Sequence, residues 1–278
     1  MPTDTLHDEL EAAFGQLLTD RCTPAVVRRI EAGEPPGELW RDLASSGFLD
    51  ALVPEARGGA GLALREVLPL VQACGFHAVP LPFAETLLVR GVFAHAGRDV
   101  PEGPLQLDAI STLLPAEDRS ALQSACNAAR IAGASARVLE MSLAYAQQRV
   151  QFGKPIGSFQ AVQHQLSVMA EQACAARMAS QLAFASSTHL PDRALAAMAQ
   201  CVAGDAAAQM ASIGHALHGA IGITAEFDLQ LYTRRLLAWR TQGGSPSHAA
   251  AQVARDWWTS GITGAADYAL DRLAAAEH

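Results

Sequence analysis

Between Arg119 and His218 only two short stretches interrupt the helical periodicity of this sequence. The first is the FGKPIGS segment that begins at Phe152, and the second lies between His189 and Asp192. Alanine and leucine dominate the chain and runs of β-branched residues are short, which favours helix over strand. Long helices joined by short connections pack as antiparallel bundles. The pattern therefore predicts an all-α protein whose second half is a helical bundle.

Three regions follow from the periodicity. Residues 97–118 contain three prolines and little periodicity, which predicts a linker with room for one short extended stretch. We therefore expect an amino-terminal helical domain at 1–96, the linker at 97–118, and a carboxy-terminal bundle at 119–278. Helices are predicted from about Asp4 to Leu18, from near Ala25, from near Glu38 to the glycine at Gly47, from Leu62 to about Gly75, from Phe83 to His95, from about Arg119 to Gln148, from Phe159 to His189, from Asp192 to about His218, from Leu229 to about Thr241, and from near His248.

Composition excludes several classes of protein. Only 17% of the residues are charged, the net charge is −8, and no basic run occurs, so we expect neither nucleic acid nor a membrane surface as a partner. Half of the residues are hydrophobic, which predicts large subunit interfaces. No apolar stretch is long enough to span a bilayer, and the acidic start is unlike a signal peptide. The five dispersed cysteines predict buried free thiols in the cytoplasm.

Two small clusters of polar residues have ordinary explanations. His215 and His218 lie three residues apart on one predicted helix face, as metal ligands do. No cysteine or carboxylate cluster accompanies them, so we expect no metal and predict that they line a polar pocket or an interface. Glu226 and Asp228 precede a predicted helix, where acidic residues usually cap the helix or interact with its dipole.

The most informative stretch is YAQQRVQFGKPIGSFQAVQHQLSVMAE at 145–171. Arg149 closes a long predicted helix, an aromatic-glycine turn follows, and Gln160 and Gln163 open the next helix. A turn that carries arginine, phenylalanine and amide side chains can hold a pyrophosphate and stack a planar base. A helical hairpin with ordinary capping explains the same pattern, and the chemistry alone leaves both interpretations open.

Three motifs in this order resemble the acyl-CoA dehydrogenase family. LWRDLASSGFLDALVPEARGGAGL at 39–62 is similar to the amino-terminal helical domain of that family. HGAIGITAEFDLQLYTRR at 218–235 resembles its glycine-rich turn and the arginine helix that follows. In the 145–171 stretch, the residues in register with the family signature are Tyr145, Ala146, Arg149, Phe152, Gly153, Pro155, Ile156, Phe159, Gln160 and Leu166.

The resemblance implies FAD as the cofactor. Family members use the residues that match Arg149 and Phe152 to reach the flavin pyrophosphate and adenosine of a neighbouring subunit, and the match to Gln160 lies near the adenine. Ala216 stands where a flavin-contacting glutamine is common, and Ala220 replaces a glycine. The cofactor-binding residues that the resemblance implies are Arg149, Gln151, Phe152, Gln160, Gly219, Ala220 and Gly222.

Two parts of the family pattern are missing from the sequence. The linker at 97–118 stands where family members have a middle β domain that holds the flavin ring. The catalytic glutamate of most members aligns with Gly243, and the alternative position near Leu122 to Ser124 carries no carboxylate. Neither glycine nor glutamine is a base at neutral pH, so no catalytic residue is assigned to this chain.

These departures resemble the shortened subunits of heteromeric α2β2 acyl-CoA dehydrogenases, which act in bacterial degradation of steroid side chains. The resemblance implies a full-length partner subunit, an acyl-CoA substrate for α,β-desaturation, and an electron-transferring flavoprotein as acceptor. Two alternatives stay open. One is a non-catalytic subunit that stabilises or regulates a dehydrogenase, and the other is a divergent homo-oligomeric flavoenzyme with Glu226 or Asp228 as its base.

Overall fold

The computed structural model describes residues 2–276, and side-chain surroundings are described for residues 9–275. Almost all regular structure in this range is α-helical, as predicted, and the strands form one small hairpin. The elements are α1 (Pro2–Arg21), α2 (Pro24–Glu31), α3 (Gly37–Ser45), α4 (Leu68–Phe76), α5 (Phe83–His95), α6 (Ala116–Gln148), β1 (Val150–Gln151), β2 (Lys154–Pro155), α7 (Gln160–Ala183), α8 (Arg193–His218), α9 (Leu229–Thr241), α10 (Pro246–Ser260) and α11 (Ala265–Ala276).

Local signals place several of these helix ends. Gly47 adopts a left-handed φ of 83° just after α3, where a C′ glycine is favoured because it has no Cβ. The Asp192 carboxylate accepts a hydrogen bond from the Leu195 backbone N–H at 2.8 Å and so caps α8. Gly261, with a φ of 74°, ends α10. The last predicted helix is therefore two helices rather than one.

Other local predictions were wrong. The segment 97–118 contains a 3-10 turn at Leu107–Ile110 that was not predicted, and α6 begins inside it at Ala116 rather than at about Arg119. The helix predicted to reach His189 ends at Ala183, because the chain turns there to pair with the segment before α4. Cys174 is exposed and Cys201 is half-buried, so two of the five thiols depart from the predicted burial.

Helices α6, α7 and α8 form the centre of the bundle, and α9 and α10 pack against α8. The amino-terminal helix α4 crosses α6 at two glycines. A Cβ added at Gly133 would lie 1.9 Å from the backbone oxygen of Gln72, and one at Gly75 would lie 2.0 Å from that of Arg130. The two helix backbones therefore touch, and this contact joins the amino-terminal region to the bundle.

Candidate functional site

Arg149 follows α6 directly and begins the β1–β2 hairpin. The two turn residues, Phe152 and Gly153, have φ values of 53° and 79°, the geometry of a type I′ turn. The left-handed region is uncommon for a bulky residue, and the Phe152 side chain is 92% exposed. The hairpin therefore exposes the aromatic ring of Phe152 to solvent, although the backbone of this residue adopts an unfavourable conformation. A strained and exposed residue of this kind suggests a functional role.

The start of α7 lies immediately after the hairpin. Gln160 is the first residue of this helix and its side chain is exposed. Gln163, one turn later, is exposed and donates a hydrogen bond to the Gly157 backbone oxygen at 3.0 Å, which holds the turn. A helix amino terminus presents free N–H groups and a positive dipole end to an anion. The hairpin, Arg149 and this helix end together provide cationic and polar donors for a phosphate.

The glycine-rich turn follows α8 and forms a 3-10 helix at Gly219–Ile223. A Cβ at Gly222 would lie 2.9 Å from the Cβ of His218, so packing inside the chain requires glycine there. Gly219 has a φ of 62° and open space beside it, which leaves its backbone accessible to a ligand. Ala220 is also exposed.

The two histidines before this turn have structural roles. The His215 ring hydrogen-bonds the Thr233 hydroxyl at 2.9 Å, and the His218 ring hydrogen-bonds the Gly214 backbone oxygen at 2.8 Å. Burial lowers the pKa of His218 below its ordinary value. Among the described residues, no group of three or more potential ligands is placed to hold a metal ion.

Tyr145 joins the hairpin end of α6 to the glycine turn. Its hydroxyl donates to the His218 backbone oxygen at 3.3 Å, and its ring lies 4.5 Å from the His218 ring, centroid to centroid. The hairpin after α6, the start of α7 and the glycine turn after α8 therefore lie at one end of the bundle. We call this end the hairpin end.

The amino-terminal region clamps the segment after the glycine turn. The Arg28 guanidinium donates to the backbone oxygens of Ala225 and Glu226, both at 3.1 Å, and forms an ion pair with Asp228. Asp228 is therefore engaged by a cation and does not cap α9 with its side chain. Sequence reasoning missed this clamp, because its partners lie about 200 residues apart and no local pattern links them.

Exposed apolar side chains surround the hairpin end. They are Leu143, Val150, Phe152, Ile221 and Ile223, with exposed fractions of 40%, 55%, 92%, 44% and 73%. Large apolar groups clustered on a surface usually mark an interface with a protein or a ligand. The same end of the bundle therefore combines polar donors with an apolar rim.

Gly243, the position that matches the family glutamate, lies at the other end of the bundle, just after α9. A small cavity of about 310 Å³ lies next to it. A Cβ added at Gly243 would lie 2.6 Å from Cγ of Gln123, and the φ of this glycine is 78°. The structure therefore leaves no room for a side chain here without movement. The cavity is lined by Pro82, Glu85, Gln106, Leu107, Asp108, Gln123 and Gln242.

A buried polar network fixes this turn. Arg130 forms an ion pair with Glu85 and donates to Asn127 at 2.8 Å and to Gln242 at 3.2 Å. The Asn127 amide donates to the Gln242 backbone oxygen at 2.7 Å, and the guanidinium carbon of Arg130 lies 4.8 Å from the centre of the Trp239 ring. Because Glu85 already balances a buried cation, it is not a free base. The sequence analysis did not identify this pair, and the signal that could have indicated it is the arginine within the alanine-rich stretch of α6.

The predicted site residues are placed as follows. Arg149, Gln151 and Phe152 share the hairpin, and the Gln151 amide oxygen, assigned from the hydrogen-bond network, accepts from Arg149 at 2.6 Å. Gln160, Gly219, Ala220 and Gly222 lie at the same end of the bundle, and only Gly222 is buried. Cofactor binding by these seven residues stays a prediction.

Comparisons with known proteins cover both halves of the chain. Residues 4–99 match the family described as acyl-CoA dehydrogenase, N-terminal domain, and residues 121–257 match acyl-CoA dehydrogenase, C-terminal domain. The acyl-CoA dehydrogenase IpdE2 of Mycobacterium tuberculosis is 28% identical over 90% of this chain and 97% of its own length. IpdE2 of Mycolicibacterium smegmatis is 27% identical over 81% and 90%.

Solved structures show the same fold. A variant of the Tcur3481-Tcur3483 steroid ACAD superposes with a TM-score of 0.80 at 21% identity, over 94% of this chain and 100% of that one. The ChsE4-ChsE5 complex from Mycobacterium tuberculosis gives a TM-score of 0.73 at 18% identity, over 93% and 98%. Within the described residues, no helix is both long and apolar enough to cross a membrane.

Proposed function

The chain belongs to the acyl-CoA dehydrogenase family, and we propose that it is the shortened subunit of a heteromeric, FAD-dependent acyl-CoA dehydrogenase. In this proposal the chain completes the FAD site of a full-length partner in an α2β2 assembly. The reaction is the α,β-desaturation of an acyl-CoA thioester. The chemistry that FAD supplies is the acceptance of a hydride from the β-carbon.

One distance carries the proposal. Gln123 beside the Gly243 turn and Arg149 at the hairpin are 26 residues apart along α6, which corresponds to about 39 Å at 1.5 Å per residue. That separation is longer than one dinucleotide spans. We therefore propose that a flavin held by Arg149 serves a thioester on another subunit and not one beside this chain's own Gly243.

The donors at the hairpin end fit FAD. The exposed Arg149 guanidinium and the start of α7 would hold the pyrophosphate, and the exposed ring of Phe152 would stack on the adenosine. The open backbone at Gly219 allows close approach of the same phosphates. The apolar rim formed by Leu143, Val150, Ile221 and Ile223 would be covered by the partner subunit.

The other half of a dehydrogenase site is missing from the described part of the chain. Between α5 and α6 there is a 3-10 turn and no strand, so no middle domain covers a flavin ring. The resemblance places glycine at the family's glutamate position, and the acidic residues that line the neighbouring cavity are Glu85, paired with Arg130, and Asp108 on the linker. The proposal therefore assigns the middle domain and the base to the partner.

Two comparisons support a steroid substrate and an unlike partner. One similar structure is of a steroid ACAD, and another is of a complex of two chains. We extend these to this chain as proposals: a steroid side-chain thioester as the substrate and an unlike chain as the partner. An electron-transferring flavoprotein as the acceptor is proposed from the family resemblance alone. The homo-oligomeric alternative with Asp228 as base is disfavoured by the ion pair of that carboxylate with Arg28.

The first experiment is native mass spectrometry of the tagged chain purified from its own host. A mass equal to two copies of this chain, two copies of a longer chain and two FAD is expected. A homo-oligomer without flavin would contradict the proposal and favour a non-catalytic role.

A substitution then tests which chain holds the flavin. Arg149→Ala is expected to lower the FAD content of the assembly without dissociating it, because the guanidinium is exposed and has no structural partner outside the hairpin. Arg255→Ala is the matched control, since Arg255 is an exposed arginine on α10. Equal FAD content in the two variants would show that the flavin is bound without Arg149.

A further inference from the structure

A cleft of about 1280 Å³ lies between α1, α4, α6 and α7. None of its lining residues belongs to the hairpin, the glycine turn or the Gly243 turn. We infer that this cleft binds an amphipathic organic carboxylate, with an apolar body along the helices and the carboxylate at one end.

Small residues keep the cleft open. Helix α1 faces it with Glu11, Gly15 and Thr19, and a Cβ added at Gly15 would meet no atom within 4 Å. On the opposite walls α6 and α7 present alanines, among them Ala136 and Ala173. Protein interiors are packed closely enough that voids larger than a water molecule are few. A cleft of this volume between two packed regions is the usual form of a ligand site.

The floor of the cleft is apolar. Phe184 is fully buried, Leu68 is 6% exposed, and Phe76 and Leu139 are half-buried beside them. Of these four, Phe76 on α4 and Leu139 on α6 present part of their hydrocarbon surface to the opening, whereas Phe184 and Leu68 belong to the packed interior. A hydrocarbon chain or a ring system placed on this floor removes the apolar surface from water, which is favourable.

One end of the cleft is closed by hydrogen bonds. The Leu64 backbone N–H donates to the Thr188 oxygen at 2.8 Å and that of Arg65 to the Ser186 oxygen at 3.3 Å. The Gln72 amide donates to the Ser180 hydroxyl at 2.8 Å across the same end. These bonds tie the segment before α4 to the end of α7 and place Arg65 at the closed end.

The charges at the cleft favour an anion at this end. Within residues 9–275, neither Arg65 nor Arg177 forms an ion pair. Of the two acidic lining residues, Glu140 is 3.1 Å from the Arg137 guanidinium, and Glu11 contacts neither lining arginine. Burial, aided by Arg137, lowers the pKa of His77 to about 4, so this lining residue is neutral at pH 7. Two exposed guanidiniums that line the cleft are therefore available to pair with a carboxylate.

A native thiol reports on occupancy. Cys174 lines the cleft one helical turn before Arg177 and is exposed, whereas Cys22, Cys74 and Cys126 are buried. The rate of maleimide addition to Cys174 is measured in a Cys201→Ser background, on the assembly as purified from its host. The probes are dodecanoate and dodecanol, each below its aggregation threshold.

Dodecanoate is expected to slow the labelling of Cys174. At a concentration ten times its dissociation constant the rate falls by about tenfold, and dodecanol protects much less because it lacks the charge. Arg177→Met is expected to abolish the difference between the two probes, whereas Arg255→Met, on an exposed arginine of α10, keeps it. Ala136→Phe fills the cleft and should remove protection by both probes.

Three results would overturn the inference. Equal protection by both probes would mean that only apolar surface is bound, and no protection by either would mean that the cleft holds water. A Cys174 that is unreactive in the assembly but reactive in the isolated chain would mean that a partner subunit covers the cleft. Because no readout involves FAD, these results are independent of the proposed flavin site.

Discussion

Phe152→Ala tests whether the exposed ring at the hairpin is buried in the assembled flavin site. The side chain is 92% exposed in the single chain, and its aromatic neighbour is Phe159, in an edge contact with ring centroids 6.1 Å apart. Removing the ring therefore costs the isolated chain little. In the assembly, full burial of a phenylalanine contributes about 1.5–3 kcal/mol. The substitution is expected to weaken FAD binding by roughly 10- to 150-fold, at 1.4 kcal/mol per factor of ten.

The assay is the dissociation constant of FAD from the assembled complex, followed by flavin fluorescence, together with the thermal stability of the isolated chain. Trp258→Ala is the matched control, because Trp258 is 89% exposed on α10 and is not part of the hairpin. We expect weaker FAD binding for the Phe152 variant alone. The reasoning is refuted if both variants bind FAD equally, whether both are weakened or neither is.

Phe152→Asn separates stability from function at the same position. Asparagine before glycine is preferred in type I′ turns, and the phenylalanine there has a φ of 53°. Left-handed backbone costs an ordinary residue about 1–2 kcal/mol, part of which asparagine recovers. The variant is expected to raise the melting temperature of the isolated chain while still lowering FAD affinity. A lower melting temperature would show that the ring contributes to the fold.

Three further predictions concern stability. Gly133→Ala should destabilise the chain by roughly 1–3 kcal/mol, because its Cβ meets the Gln72 backbone oxygen and the helices must separate. Gly243→Glu should also destabilise it, through left-handed strain of about 1–2 kcal/mol and overlap with Gln123. Burial raises the pKa of Glu31, but its arginine partners outweigh this effect and the pKa is lowered. The wild type is therefore more stable than the Glu31→Gln variant above about pH 4.5. This difference in stability is lost as the pH falls through the lowered pKa. Thermal unfolding measures all three.

Each of these predictions has its own control. Gly15→Ala, in open space on α1, should instead stabilise the chain, since alanine is the better helix former. Adding Gln123→Ala to Gly243→Glu should recover the part of the loss that comes from overlap. For Glu31, the control is the difference in melting temperature between the wild type and Glu31→Gln. If this difference is the same at pH 3 and at pH 7, Arg234 and Arg235 do not hold Glu31 in its charged form.

The helical framework was readable because its signals are local. The helix from Phe83 to His95 was predicted to the residue, and the helix predicted from Leu229 to about Thr241 ends at Thr241, since apolar periodicity and flanking glycine or proline act within a few positions. The helix that ends at Ala183 was predicted too long, because its end is set by backbone pairing with the segment before α4.

The sequence by itself determined the family and the all-α class and predicted a glycine at the family's glutamate position, because each depends only on which residues occur in which order. The tertiary structure alone decided three other features. It separated the Arg149 hairpin from the Gly243 turn by the length of α6, it clamped Asp228 with Arg28, and it left the cleft beside α1 open. Each of these depends on how helices far apart in the chain pack against one another, and no local pattern of residues encodes that packing.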